Sequence, residues 1–146
     1  MNKLYKDYFD LEEMKYIFSP ELQAKAEEIC RLLFPHIDTT RVKCFVSEGS
    51  STRRTIARCH TIGKLMQKTI GVPAHYGIEF ISKAFDRLPE DEKTKVIIHE
   101  LMHIPHAFGG GFRHHDHVCE KNVELMFRTY LSKTNQSPAV KKWFQI

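Results

Sequence analysis

The chain has 146 residues, of which 42% are hydrophobic and 27% charged; this is the length and make-up of one ordinary globular domain and excludes disorder along the whole chain. A net charge of +4 without a dense Lys/Arg tract permits contact with acidic surfaces but does not argue for a dedicated nucleic-acid binder. There is no run of about 18 apolar residues to cross a membrane and no apolar stretch of signal-peptide length at Met1–Tyr8, so a cytoplasmic protein is expected.

Residues 1–18 mix polar residues with Tyr5, Tyr8, Phe9, Tyr16 and Phe18, and are expected to form an N-terminal extension with a short helix packed on the domain. Ser19-Pro20 then supplies an N-cap followed by proline at the first helical position. Leu22, Ala26, Ile29, Leu32 and Leu33 recur at helical spacing until Pro35, which predicts an amphipathic helix. Arg41–Val46 reads as a strand, Glu48–Ser51 as a turn, Thr55–His60 as a second strand and Tyr76–Ile81 as a third, beyond a loop at Gly71–Pro73.

Leu88-Pro89 opens the next helix, with Glu90, Asp91 and Glu92 in a first turn where negative charge suits the helix dipole. It runs through Val96–His103 and stops at Pro105, which lacks an N–H and disfavours helix at Ile104. Phe108–Phe112 is a glycine-rich loop, mobile or tightly turned. Asp116 to about Leu131 predicts a last helix, and residues 136–146 a tail. With no repeat or linker composition, residues 1–146 are expected to form a single α+β domain, a small and mainly antiparallel sheet with helices on one side. Cys30, Cys44, Cys59 and Cys119 show no C-x-x-C spacing and read as reduced, mostly buried thiols. Arg53, Arg54 and Arg58 read as a solvated polar face.

The chemistry lies in His99-Glu100-Leu101-Met102-His103. Two imidazoles at i and i+4 stand on one helix face, from which both ring nitrogens can reach one Zn²⁺ at about 2.0–2.1 Å. Glu100, beside the first ligand, is placed to orient a water and accept its proton as general base. Six of the nine histidines lie between positions 99 and 117. A catalytic zinc site has three protein ligands and one open position, and the glycine loop can return the chain to the metal. His114, His115, His117, Glu120 and Glu124 all satisfy that spacing. His106 reads as exposed or as supporting a ligand, and His36, His60 and His75 as surface or satisfied core residues. Arg113 is a candidate for stabilising an oxyanion. Asp116 either accepts a ligand's free ring N–H or caps the following helix.

The stretch His99-Glu100-Leu101-Met102-His103-Ile104-Pro105, followed by Gly109-Gly110-Gly111-Phe112-Arg113-His114-His115-Asp116-His117, resembles a zinc metallopeptidase family of archaea and phages. That family pairs an H-E-L-L-H-I-P helix with a downstream Gly-Phe/Leu-Arg-x-His block. The resemblance spans residues 78–117, including Ile78–Ile81 and Ala84-Phe85, and Ala57-Arg58 resembles an earlier Ala-Arg element. It implies a minimal zincin-like domain with Zn²⁺ as cofactor, His115 as third ligand and a peptide or protein substrate lying along a sheet edge, for which Tyr76–Ile81 is the expected strand. Two competing readings are a closed, non-catalytic structural zinc module and a nucleic-acid-associated module.

Overall fold

The computed structural model describes residues 14–134, which form an α+β fold of four strands and five α-helices. In chain order these are β1 (Lys15–Phe18), α1 (Pro20–Leu33), β2 (Val42–Glu48), β3 (Ala57–Thr61), α2 (Lys64–Ile70), β4 (Tyr76–Ile81), α3 (Ser82–Phe85), α4 (Glu90–Met102) and α5 (Glu120–Lys133). A 3₁₀ turn at Thr39–Arg41 leads into β2. The sheet order is β1-β2-β4-β3. Its outer pairings, β1 with β2 and β3 with β4, are antiparallel, while the central β2–β4 pairing is parallel.

The expected helix in the N-terminal extension is corrected where the structure describes it. Lys15–Phe18 is an edge strand, antiparallel to β2 with Phe18 opposite Phe45. Tyr16, Ile17 and Phe18 are β-favouring residues, and Pro20 biases Ser19 toward extended backbone, so the Ser19 N–H continues the ladder to the Cys44 carbonyl at 3.0 Å. Ser19 then caps α1 by accepting the Leu22 N–H at 3.2 Å. The remainder of that extension and the tail at 136–146 lie outside the described residues.

The core lies between one sheet face and helices α1, α4 and α5. Val42, Cys44, Ile78 and Phe80 from the sheet meet Ala26 and Ile29 of α1, Ile97, Ile98 and Leu101 of α4, and Phe127 and Tyr130 of α5. Each fully buried Ile or Leu side chain contributes about 1.5–3 kcal/mol. The consequence for the site is that α4 is clamped along its apolar face while His99 looks outward past the edge of β3.

Tyr76–Ile81 is not the sheet edge. β4 lies between β2 and β3 and is buried nearly throughout, which explains its imperfect alternation: an interior strand with a parallel neighbour is covered on both faces. The edge beside α4 is β3. α2, which the apolar pattern does not predict, exposes Leu65, Met66 and Ile70, so it carries no core-facing stripe. It ends at Gly71, whose φ of 81° is left-handed and whose N–H reaches the Gln67 carbonyl at 2.8 Å.

On the other sheet face, Glu79 is buried in the middle of β4. Its carboxylate accepts hydrogen bonds from Ser47 Oγ at 2.6 Å, Arg58 Nε at 3.0 Å and His60 Nε2 at 2.9 Å. Burial alone pushes this carboxyl upward, but the Ser47, His60 and Arg58 contacts outweigh it and hold the group below the usual carboxylate range. Because the folded-state pKa is depressed, the stabilisation is present at neutral pH and lost progressively as pH falls from the usual carboxylate range through that lowered pKa. Glu79→Gln is therefore expected to cost about 1–3 kcal/mol near pH 7 and progressively less in acid; denaturant unfolding across an acid pH series measures the difference, and a loss independent of pH contradicts the ionised cluster.

Candidate functional site

α4 delivers His99 from its last full turn and His103 from its C-cap, so the two rings lie on one face with centroids 5.1 Å apart. His115 approaches from the loop after the glycines, with ring centroids 6.2 Å from His99 and 5.4 Å from His103. One ring nitrogen of each of the three lies within 4.8 Å of the others, and this is the one such cluster of His, Cys, Asp or Glu among the described residues. A tetrahedral ion bonded at about 2.0–2.1 Å needs nitrogen separations of roughly 3.3 Å. Small ring rotations about half-exposed side chains close that gap, so the residues fit a metal ion.

The loop is attached to α4 through a reciprocal pair of hydrogen bonds. The Arg113 N–H donates to the His103 carbonyl at 2.7 Å, and His103 Nδ1 donates to the Arg113 carbonyl at 2.7 Å. A carbonyl only accepts, so Nδ1 carries the proton and Nε2 is left with its lone pair for a cation. Immediately beyond Arg113, the His117 and Val118 N–H groups both donate to the His114 carbonyl, at 3.1 and 2.9 Å. That turn carries His115 to the cluster and leaves His114 on the groove rim.

Three contacts fix the glycine segment. Gln67 Nε2 donates to the Ile62 carbonyl at 2.8 Å and the Gly109 carbonyl at 3.0 Å. Tyr76 Oη donates to the Gly111 carbonyl at 2.9 Å and accepts the Gly110 N–H at 3.0 Å. Gly110 has φ 98°, and a Cβ there would stand 2.3 Å from Gln67 Nε2 and 2.6 Å from the Ile62 carbonyl oxygen. Phe108 is itself left-handed at φ 47°, and is held between the Tyr76 ring and the Arg41 guanidinium. The loop is therefore tightly turned. Nothing in the apolar pattern points to Gln67 or Tyr76 as its anchors; only the glycine run and Gly71 give local signals.

Glu100 is 6% exposed, and burial pushes its carboxyl up to about 7. Burial, followed by the neighbouring His103 and His115, holds the His99 imidazole below its ordinary value, in the neutral form that binds metal. Both residues line a groove between α4 and β3, which continues past His99 toward Glu120 and Glu124 on one side and past His103 toward Phe112 and Arg113 on the other. Since the Ile81 N–H bonds the Ile56 carbonyl at 2.8 Å and β3 pairs antiparallel with β4, Arg58 and His60 make the ladder bonds. The backbone groups of Ala57 and Cys59 alternate with them and face the open edge along this groove.

The other sequence candidates lie elsewhere. Glu124 pairs with Lys95 at 3.1 Å, Glu120 opens α5, and neither joins the histidine cluster. His117 is turned to the far side of the loop, beside His36 and His106. Asp116 accepts the His117 N–H at 2.9 Å; α5 starts four residues later than its carboxylate suggested, with Cys119 as N-cap. His60 belongs to the Glu79 cluster, and His75 hydrogen-bonds the Pro73 carbonyl. All four cysteines are free, Cys30 and Cys44 buried and Cys59 and Cys119 partly so.

A family model described as "Putative phage metallopeptidase" matches residues 14–136, most of the chain. No curated protein and no solved structure matches. Among the described residues, no helix is long and apolar enough to cross a membrane.

Two outcomes follow from this geometry. His115→Ala is expected to lower metal affinity by at least tenfold, whereas His114→Ala and His117→Ala keep it; competition with a zinc indicator reads all three, and equal losses would show that the turn does not select His115. Gly110→Ala is expected to cost more than about 2 kcal/mol, since both φ and the Ile62 carbonyl oppose a Cβ, and to weaken metal binding as well; unchanged stability by thermal unfolding contradicts the anchoring.

Proposed function

Since the chain belongs to the phage metallopeptidase family, we propose that it is a zinc-dependent peptidase, with His99, His103 and His115 as metal ligands and Glu100 as general base. The observation that carries this reading is the convergence of three imidazoles beside a buried carboxylate, in a groove walled by an open strand edge. Three imidazole donors suit zinc among the common divalent ions. Three protein ligands with a free position are the pattern of catalytic zinc, and among the described residues no fourth side chain joins the cluster to close it.

When bound, zinc supplies a Lewis acid for the scissile carbonyl and lowers the pKa of a water to about 7. The work of this chain's own residues can be followed from there. The Ala57 and Cys59 backbone groups hold an extended peptide as an added strand and thereby set its carbonyl against the histidine cluster. Glu100 takes the proton of the attacking water and returns it to the leaving amine. Its burial raises its basicity, and a cation at the histidines lowers it again, which keeps the carboxyl able to act in both directions. Arg113, lining the same groove, supplies positive charge where the carbonyl oxygen gains negative charge. The free thiols accord with action in a reducing cytoplasm.

Glu100→Gln is expected to retain zinc and lose peptide hydrolysis by roughly 10²–10⁴-fold, measured on a quenched fluorescent peptide library. Without metal, the same change removes a buried ionisable group whose folded pKa is raised, so it stabilises the apoprotein above that pKa by about 1–3 kcal/mol and has little effect in acid. Retention of full hydrolysis by the Gln variant contradicts the assigned role.

A further inference from the structure

Behind the loop that carries His115 lies a second cavity of about 320 Å³, on the side away from the groove. Its polar lining comprises His36, His106, His117, Arg113 and Asn122, and its apolar lining includes Leu125 and Met126. The rings of His36 and His106 lie in contact, with centroids 4.1 Å apart and planes tilted by 38°. His36 Nε2 donates to the Ile104 carbonyl at 3.1 Å, which fixes the tautomer and leaves Nδ1 without a proton in the neutral ring. No carboxylate of the described residues lines the cavity, and none of their ion pairs involves Arg113.

We propose that this cavity is a binding site for a small organic anion, its carboxylate or phosphate head held by Arg113 and His106, joined by His36 once its free Nδ1 takes up a proton, and its apolar body laid on Leu125 and Met126. The volume falls within the range of small-molecule pockets, which combine apolar walls with a few converging polar groups. The imidazoles here do not hold a metal of their own, because among the described residues ligand atoms gather around one point only at His99, His103 and His115. A planar guanidinium matches a carboxylate or phosphate with paired hydrogen bonds. Burial first, then His106 and Arg113, disfavour a charged His36 in the empty cavity, and an anion seated beside them would offset the contributions of His106 and Arg113. Arg113 also lines the groove on the other side of the loop, so an occupant of the cavity and a substrate in the groove draw on the same side chain. The site stands whether or not the peptidase reading does.

The test uses the zinc-loaded full chain and three probes: inorganic phosphate, hexyl phosphate and hexanoate. Titrations are followed by calorimetry and by the Met126 methyl resonance. Expected results are a Met126 shift on titration with either alkyl anion and affinity for hexyl phosphate at least tenfold above that for phosphate. The pair of substitutions His36→Gln and His106→Gln should weaken alkyl-anion binding at least tenfold while zinc content stays unchanged. The stronger of the two alkyl anions identifies the head group as phosphate or carboxylate. Binding that leaves the Met126 methyl unmoved and is indifferent to both substitutions, as capture by the zinc ion would be, overturns the proposal. So does the absence of binding by all three probes in the unsubstituted protein, a result that requires no variant to fold.

Discussion

Two hydrogen bonds between His103 and Arg113, each 2.7 Å, join the end of the α4 helix to the returning chain. One is backbone to backbone and sets where the loop meets the helix. The other runs from the His103 ring to the Arg113 carbonyl, so the same contact that positions the loop fixes the His103 tautomer and leaves Nε2 free at the cluster. Everything that brings His115 to His99 and His103 rests on this joint.

The rest of the fold supports that joint from two directions. From below, the shared core of α1, α4 and α5 against the sheet fixes the helix that carries His99 and Glu100. From the side, Gln67 and Tyr76 grip the glycine segment through three hydrogen bonds, and Gly110 is the position where a side chain has no room. The groove's second wall is the edge strand β3, whose Arg58 and His60 are tied to the buried Glu79 carboxylate of β4 on the opposite sheet face. That arrangement leaves the Ala57 and Cys59 backbone free along the groove while their neighbours hold the strand down. The buried charge of Glu79 thus bears on the site although it lies on the far side of the sheet.

Much of this is legible in the sequence where the signal is local. The capped and proline-bounded helices, the i, i+4 histidines and the stop at Pro105 all depend on neighbours within one or two turns, and α1 and α4 form where they are expected. The resemblance singles out His115, and the turn built on the His114 carbonyl brings that ring to His99 and His103. What is not legible is set by distant partners. β1 takes strand form because β2 offers it an edge, against the expected helix. β4 is interior rather than an edge because β2 joins it in parallel across 30 or more residues of chain, a pairing that no short pattern encodes. α2 escapes a search for apolar periodicity because its apolar residues face outward and its inward contact is the amide of Gln67. The start of α5 is misjudged because Asp116 spends its carboxylate on the adjacent His117 N–H rather than on a helix cap.

The central claim is that three histidines, and no other side chains, hold the metal. X-ray absorption at the zinc edge of the loaded full-length chain tests it most directly. The account predicts four light-atom neighbours at about 2.0–2.1 Å, with outer scattering from three imidazoles and the fourth neighbour an oxygen. A sulfur neighbour at about 2.3 Å, which would bring Cys59 of the groove wall into the coordination sphere, or scattering from two or four imidazoles, would contradict it.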